Sequence, residues 1–96
     1  MKKLFYIFIF FIPTIAFSQW TTISSGTTCL NSVCFPDANT GYIVGNFGTI
    51  LKTVNSGLTW TALSCGTTRH LNSVCFINAN TGFAVGDSGL ILKTIN

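Results

Sequence analysis

The chain has 96 residues, a formal net charge of +3, 7% charged residues and no glutamate. Cations this few, with no cluster after Lys3, exclude the electrostatic footprint that nucleic acid requires. They equally exclude a surface that would steer an acidic substrate or hold a membrane.

The opening stretch, MKKLFYIFIFFIPTIAFSQW, sets Lys2 and Lys3 before nine apolar residues from Leu4 to Ile12, then Pro13 and the small-residue pattern Ala16, Phe17, Ser18. This is the form of a signal peptide over residues 1–18, cleaved after Ser18. The apolar run is shorter than the roughly 18 to 20 residues that cross a bilayer. The mature chain is therefore expected to have no stable membrane span and to reach the periplasm, cell surface or medium. No cysteine follows the cleavage point, so no lipid anchor is indicated. The remaining 78 residues carry Lys52, Arg69 and Lys93 against Asp37 and Asp87, a net +1. At that size a single core supplies only a few kcal/mol, so something further must help the domain stand.

Trp20 to Ser24 alternates bulky and polar residues and predicts a half-buried strand. SSGTT connects it to a short inner strand, Ser32 to Phe35, with Val33 and Phe35 on one face. PDANTG supplies a turn in which Asp37 and Asn39 can bond the backbone locally. Gly41 to Gly45 is the next strand, with Tyr42 and Val44 on one side and Ile43 on the other. Asn46, Phe47 and Gly48 turn the chain into a third strand, Thr49 to Val54, and Asn55, Ser56 and Gly57 close a hairpin onto a fourth, Trp60 to Ser64. Then the cycle restarts: residues 31–55 and 72–96 align without gaps and agree at 17 of 25 positions. Four short strands every 40 or 41 residues is the signature of a β-propeller blade.

The expected fold is therefore all-β: two four-stranded antiparallel propeller-type blades after the leader. The mature module is 19–96, with unit 1 over about 30–64 and unit 2 over about 71–96, lacking its last strand. Two blades form an incomplete propeller, since closed rings use about four to eight; a fragment of a longer protein is the expectation.

The segment TVNSGLTW, residues 53 to 60, resembles the Asp-box or BNR repeat, S/T-x-D-x-G-x-T-W. Thr53, Asn55, Gly57, Thr59 and Trp60 are its matching positions, with Asn55 in place of the aspartate. In such a hairpin the acid or amide caps the turn, glycine takes positive φ and tryptophan packs beneath. The wider frame, VCFPDANTGYIVGNFGTILKTVNSGLTW, is similar to the repeat of the photosystem II stability and assembly factor family. The resemblance covers residues 20–96 and implies a propeller that holds a client protein. The arginine-rich surface proposed for that family has one counterpart here, Arg69, and the site is not carried over.

Cys29, Cys34, Cys65 and Cys75 are an even set in an exported chain, and disulfides and buried thiols are both open readings. Four cysteines allow three connectivities. Cys34 and Cys75 hold equivalent inner-strand positions, which can stand too far apart to bridge. The spacing Cys65-x4-His70-x4-Cys75 invites zinc but lacks the close knuckle of a structural site. No metal or cofactor is expected, and His70 is read as a connector residue.

Asp-box propellers include glycosidases, whose chemistry needs two carboxyl groups flanking one bond. Asp37 and Asp87 sit in different turns of different units, so no catalytic residue is assigned and the chain is not expected to be an enzyme. The recurring aromatics Trp20, Trp60, Phe35, Phe76, Tyr42 and Phe83 are expected in the core. Phe47 is matched by Ser88 in the second copy, and an unmatched turn aromatic is a better binding candidate; Arg69 is the other.

The leading expectation is an exported non-catalytic module for protein binding or scaffolding, its ligand a protein or a glycan. The alternative is the remnant of an Asp-box glycoside hydrolase or surface adhesin. Self-association is a third reading: Trp20 to Ser24 of one copy could complete the unit that ends at Asn96 of the next.

Overall fold

The computed structural model describes residues 20–23 and 28–95. The expected leader, Ser24 and Asn96 lie outside the described residues. Among the described residues the chain is all-β. Strands β1 (Leu30–Cys34), β2 (Gly41–Gly45), β3 (Thr49–Thr53) and β4 (Thr61–Leu63) form one antiparallel sheet in sequence order. Strands β5 (Leu71–Phe76), β6 (Thr81–Gly86) and β7 (Leu90–Ile95) form a second. Short 3-10 turns, Asn46–Gly48 and Asp87–Gly89, link the second strand of each sheet to the third.

The repeat is visible in the register. Val33 faces Ile43, which faces Leu51; Val74 faces Ala84, which faces Leu92. These are the same positions of the two copies. Each first strand begins earlier than alternation alone predicts, because a bulge between Leu30 and Ser32, and again between Leu71 and Ser73, carries pairing back to the leucine.

The two sheets stack face to face. Tyr42, Val44 and Ile50 of the first sheet meet Leu71, Val74, Phe76, Ala84 and Leu92 of the second. The buried heart is Val44, Leu71 and Ala84, and the Tyr42 ring stacks on Phe76 with centroids 4.3 Å apart. Two polar contacts sew the sheets together: Asn31 Nδ2 donates to Leu71 O at 2.7 Å, and Val74 N donates to Ser32 Oγ at 3.2 Å.

Two expectations need correction. Residues 20–23 belong to no strand, and Trp20 is fully exposed. A strand exists only where a partner edge accepts its hydrogen bonds, and this segment has not taken one. The recurring aromatics are not all core either: Tyr42 is buried and Phe76 and Trp60 are half-buried, whereas Phe35 and Phe83 are exposed. Both rings point away from the seam between the sheets; Phe35 meets Trp60 edge-on with centroids 6.2 Å apart, and Lys93 Nζ lies over Phe83.

Candidate functional site

The two ends of the first sheet carry different chemistry. At one end, after β3, the Asp-box-like turn is built by its own side chains. Thr53 is buried, and its hydroxyl accepts from Gly57 N at 2.9 Å and from Asn55 N at 3.3 Å while donating to Asn55 Oδ1. Asn55 Oδ1 also accepts from Thr59 N, and Asn55 Nδ2 donates to Thr59 Oγ1, both at 2.9 Å. Gly57 has φ of 91°, and Trp60 Nε1 donates to its carbonyl at 3.1 Å. Asn55 thus caps the turn through Oδ1 as an acceptor, the part a carboxylate could also fill, and adds from Nδ2 a donated bond that a carboxylate could not make.

The neighbouring turn is pinned to this one. Ser56 Oγ lies 3.0 Å from Ala38 O, to which it donates, and 3.2 Å from Asn39 Oδ1. Asp37 Oδ1 accepts from Thr40 N at 2.8 Å and from Asn39 N at 2.9 Å. Those amides, Thr40 first, hold the Asp37 carboxyl below its ordinary range. In the second unit Asn78 Oδ1 makes the same two bonds, to Asn80 N and Thr81 N. This end is scaffolding: its polar groups are spent on one another.

The opposite end is different. There the turn after β2 places Phe47 at φ 60°, ψ 34°, a left-handed conformation that costs a residue with a Cβ about 1–2 kcal/mol. The exposed Phe47 ring stands edge-on to His70, centroids 4.8 Å apart, and Phe47 N donates to His70 Nδ1 at 3.0 Å. Beside them the connector from Ser64 to Arg69 borders a shallow depression with Gly48. Cys65 Sγ lies there, 3.2 Å from Gly48 O. Arg69 lines that depression, and Phe47 immediately precedes its Gly48 in the chain.

His70 lies in the connector, as its place in the sequence implies, and there it takes a further part as the brace of the Phe47 ring. A signal for it existed inside the chain: Phe47 and His70 align with Ser88 and Cys29, so two contacting positions change together between the copies. The lysines were passed over. Lys52 Nζ lies 5.6 Å from the Tyr42 ring centroid and Lys93 Nζ 5.8 Å from that of Phe83, within cation–π range. Both lysines border a cleft of about 460 Å³ between the sheets, floored by Val74, Phe76 and Ala84.

The four cysteines are free thiols, and among the described residues no group of three His, Cys, Asp or Glu side chains converges. Asp87 accepts from Asn72 Nδ2 at 3.1 Å, at the end of its sheet that corresponds to the Phe47 end of the first. Asp37 lies at the other end.

Antiparallel units of one repeat, the first closed by a side-chain-capped hairpin with a tryptophan beneath, define a BNR-type repeat protein. The chain belongs to the family described as photosynthesis system II assembly factor YCF48, whose model matches residues 12–96. A comparison with curated proteins finds no match.

Proposed function

We propose that the chain is an exported, non-catalytic β-propeller-type module that binds another protein through the rim of Phe47, His70 and Arg69. The observation that carries this reading is the exposed Phe47 ring, held in a left-handed backbone conformation and braced by His70, the residue that follows Arg69 in the chain. Exposed aromatics and arginines are the side chains in which interaction hot spots are enriched. They suit a client segment with an apolar side chain followed by a carboxylate. Export is supported by the leader pattern of residues 1–18. Among the described residues no helix is long and apolar enough to cross a membrane.

The family's description speaks of assembling photosynthesis system II. What carries over in this reading is the holding of a client protein. A glycosidase role has little support, because Asp37 and Asp87 stand at opposite ends of the stacked sheets and cannot flank one bond.

The test is site-specific photo-crosslinking in the exporting cell. Probes replace Phe47 or Arg69, with a control probe at the exposed Leu58 on the opposite end. One discrete protein adduct from positions 47 and 69, absent from 58, supports the reading. No protein adduct, together with retention of the purified chain on a glycan array, would replace it with the glycan-binding alternative.

A further inference from the structure

We infer that the two uncovered sheet faces of this chain are complementary halves of one interface and take a second copy of the chain, head to tail. The inference is independent of the client-binding rim. It rests on the repeat having already made this interface once, inside the molecule.

The seam joins two unlike faces. The donor face belongs to the first unit: Tyr42, Val44 and Ile50. The acceptor face belongs to the second: Leu71, Val74, Phe76, Ala84 and Leu92. Each face exists a second time. The donor face recurs on the second unit as Phe83, Val85 and Ile91, and there it is open, with Val85 41% and Ile91 68% exposed. The acceptor face recurs on the first unit as Leu30, Val33, Phe35, Ile43 and Leu51. It too is uncovered, with Leu30, Val33 and Phe35 all exposed. Most side chains are the same: Val85 for Val44, Ile91 for Ile50, Val33 for Val74, Leu51 for Leu92; the exception is Ile43, which fills more of the face than the Ala84 it replaces. Phe83 would stack on Phe35 of the next copy as Tyr42 stacks on Phe76.

The polar stitches are duplicated as well. Asn31 reaches both its own turn, through Asn46 Oδ1, and the next sheet, through Leu71 O. Its counterpart Asn72 makes the first of these bonds, to Asp87 Oδ1; Leu30 O of a second copy is the acceptor that corresponds to Leu71 O. Ser73 likewise corresponds to Ser32, which takes the Val74 amide. Finally, β7 is the edge of its three-stranded sheet, while Trp20–Ile23, the counterpart of Trp60–Leu63, sits outside any strand. In the head-to-tail arrangement the copy whose Leu30 face is engaged also brings its Trp20–Ile23 segment alongside β7. Pairing there in the register of β3 and β4 sets Ile23 opposite Ile91, as Leu63 faces Ile50.

Because the contact is heterologous, it propagates until it closes. Propellers close with about four to eight blades, which corresponds to about two to four chains. The test is light scattering on the chain as exported and purified, followed by mixing of two one-faced variants. Wild type is expected as one discrete species of about two to four chains. Val33→Lys blocks one face and Ile91→Lys the other. Each variant alone is expected at single-chain mass, with association at least tenfold weaker. Mixed in equal amounts they join once, through the two unblocked faces, and stop at two chains. Far-UV circular dichroism of each variant checks that its strands persist. If they do not, the wild-type mass and that of a variant lacking Trp20–Ile23 decide instead. A wild-type chain that stays single up to high protein concentration overturns the inference. So do folded variants that keep the wild-type mass, or a mixture of folded variants that never pairs.

Discussion

Leu30 and Leu71 hold the same place in two copies of one sequence, yet 37% of Leu30 meets solvent and none of Leu71 does. Val44 and Val85 differ the same way, 1% against 41%. The residues are identical, so burial here is a property of what lies on the face. The first unit is buried on its donor side and bare on its acceptor side; the second is the reverse. Half of each unit's apolar pattern is thus written for a neighbour, as in solenoids and propellers generally.

The largest effect should separate the two leucines. Leu71→Ala is expected to cost about 2–5 kcal/mol through the cavity it leaves, and Leu30→Ala about 1 kcal/mol. Urea unfolding of both variants at low protein concentration checks the gap. Repeating it where copies associate should narrow the gap, because Leu30 then lies in a seam of its own; an unchanged gap there would count against head-to-tail stacking.

The next comparison concerns the capped hairpin that follows the first unit's third strand. Thr53→Val keeps the shape but removes the acceptor for Gly57 N and Asn55 N. Leaving such groups unmet costs about 1–3 kcal/mol, while Thr53→Ser should retain most of the stability. Thermal unfolding of the two variants would expose a purely steric role if they fell equally.

The third pair is Phe47 and Ser88, which share φ 60° and ψ 34°. Ser88→Gly should relieve strain and raise stability by about 1 kcal/mol or less, a few degrees in Tm. Phe47→Gly relieves the same strain but loses an edge-on ring contact worth about 0.5–1.5 kcal/mol. It should leave Tm level or lower; a rise equal to that of Ser88→Gly would mean that His70 does not brace the ring.

The smallest effect separates Asp37 from Asn78. The folded Asp37 carboxyl titrates below its ordinary value of 3.8. Its contribution is therefore present above that value and is lost as pH falls through the lower, folded one. Amide shifts of Asn39 and Thr40 should move on acidification while those of Asn80 and Thr81 stay still. Asp37→Asn should abolish the difference.

Strands and turns were legible in the sequence because they are local. Alternation placed β2 and β3 within a residue of their ends, Asp37 announced its own turn, and TVNSGLTW specified its hairpin side chain by side chain. Which copy of a face is covered was not legible, since Val44 and Val85 carry the same letter. Trp20–Ile23 misled for the same reason: its pattern is that of β4, but a strand also needs an edge to pair with. The left-handed Phe47 had no local signature beyond the glycine after it, and the His70 brace showed only as a change shared between aligned copies.

Two glycines lie under aromatic lids. A methyl group on Gly41 would overlap the ring of Phe35, and one on Gly82 the ring of Phe76. The α-hydrogen that points into each ring must sit in its shielding field, so two glycine protons should resonate far upfield of their kind. Each reports on the hairpin of its own sheet. One proton spectrum, taken through a melt, would therefore tell whether the halves of this duplicated chain let go together or one at a time.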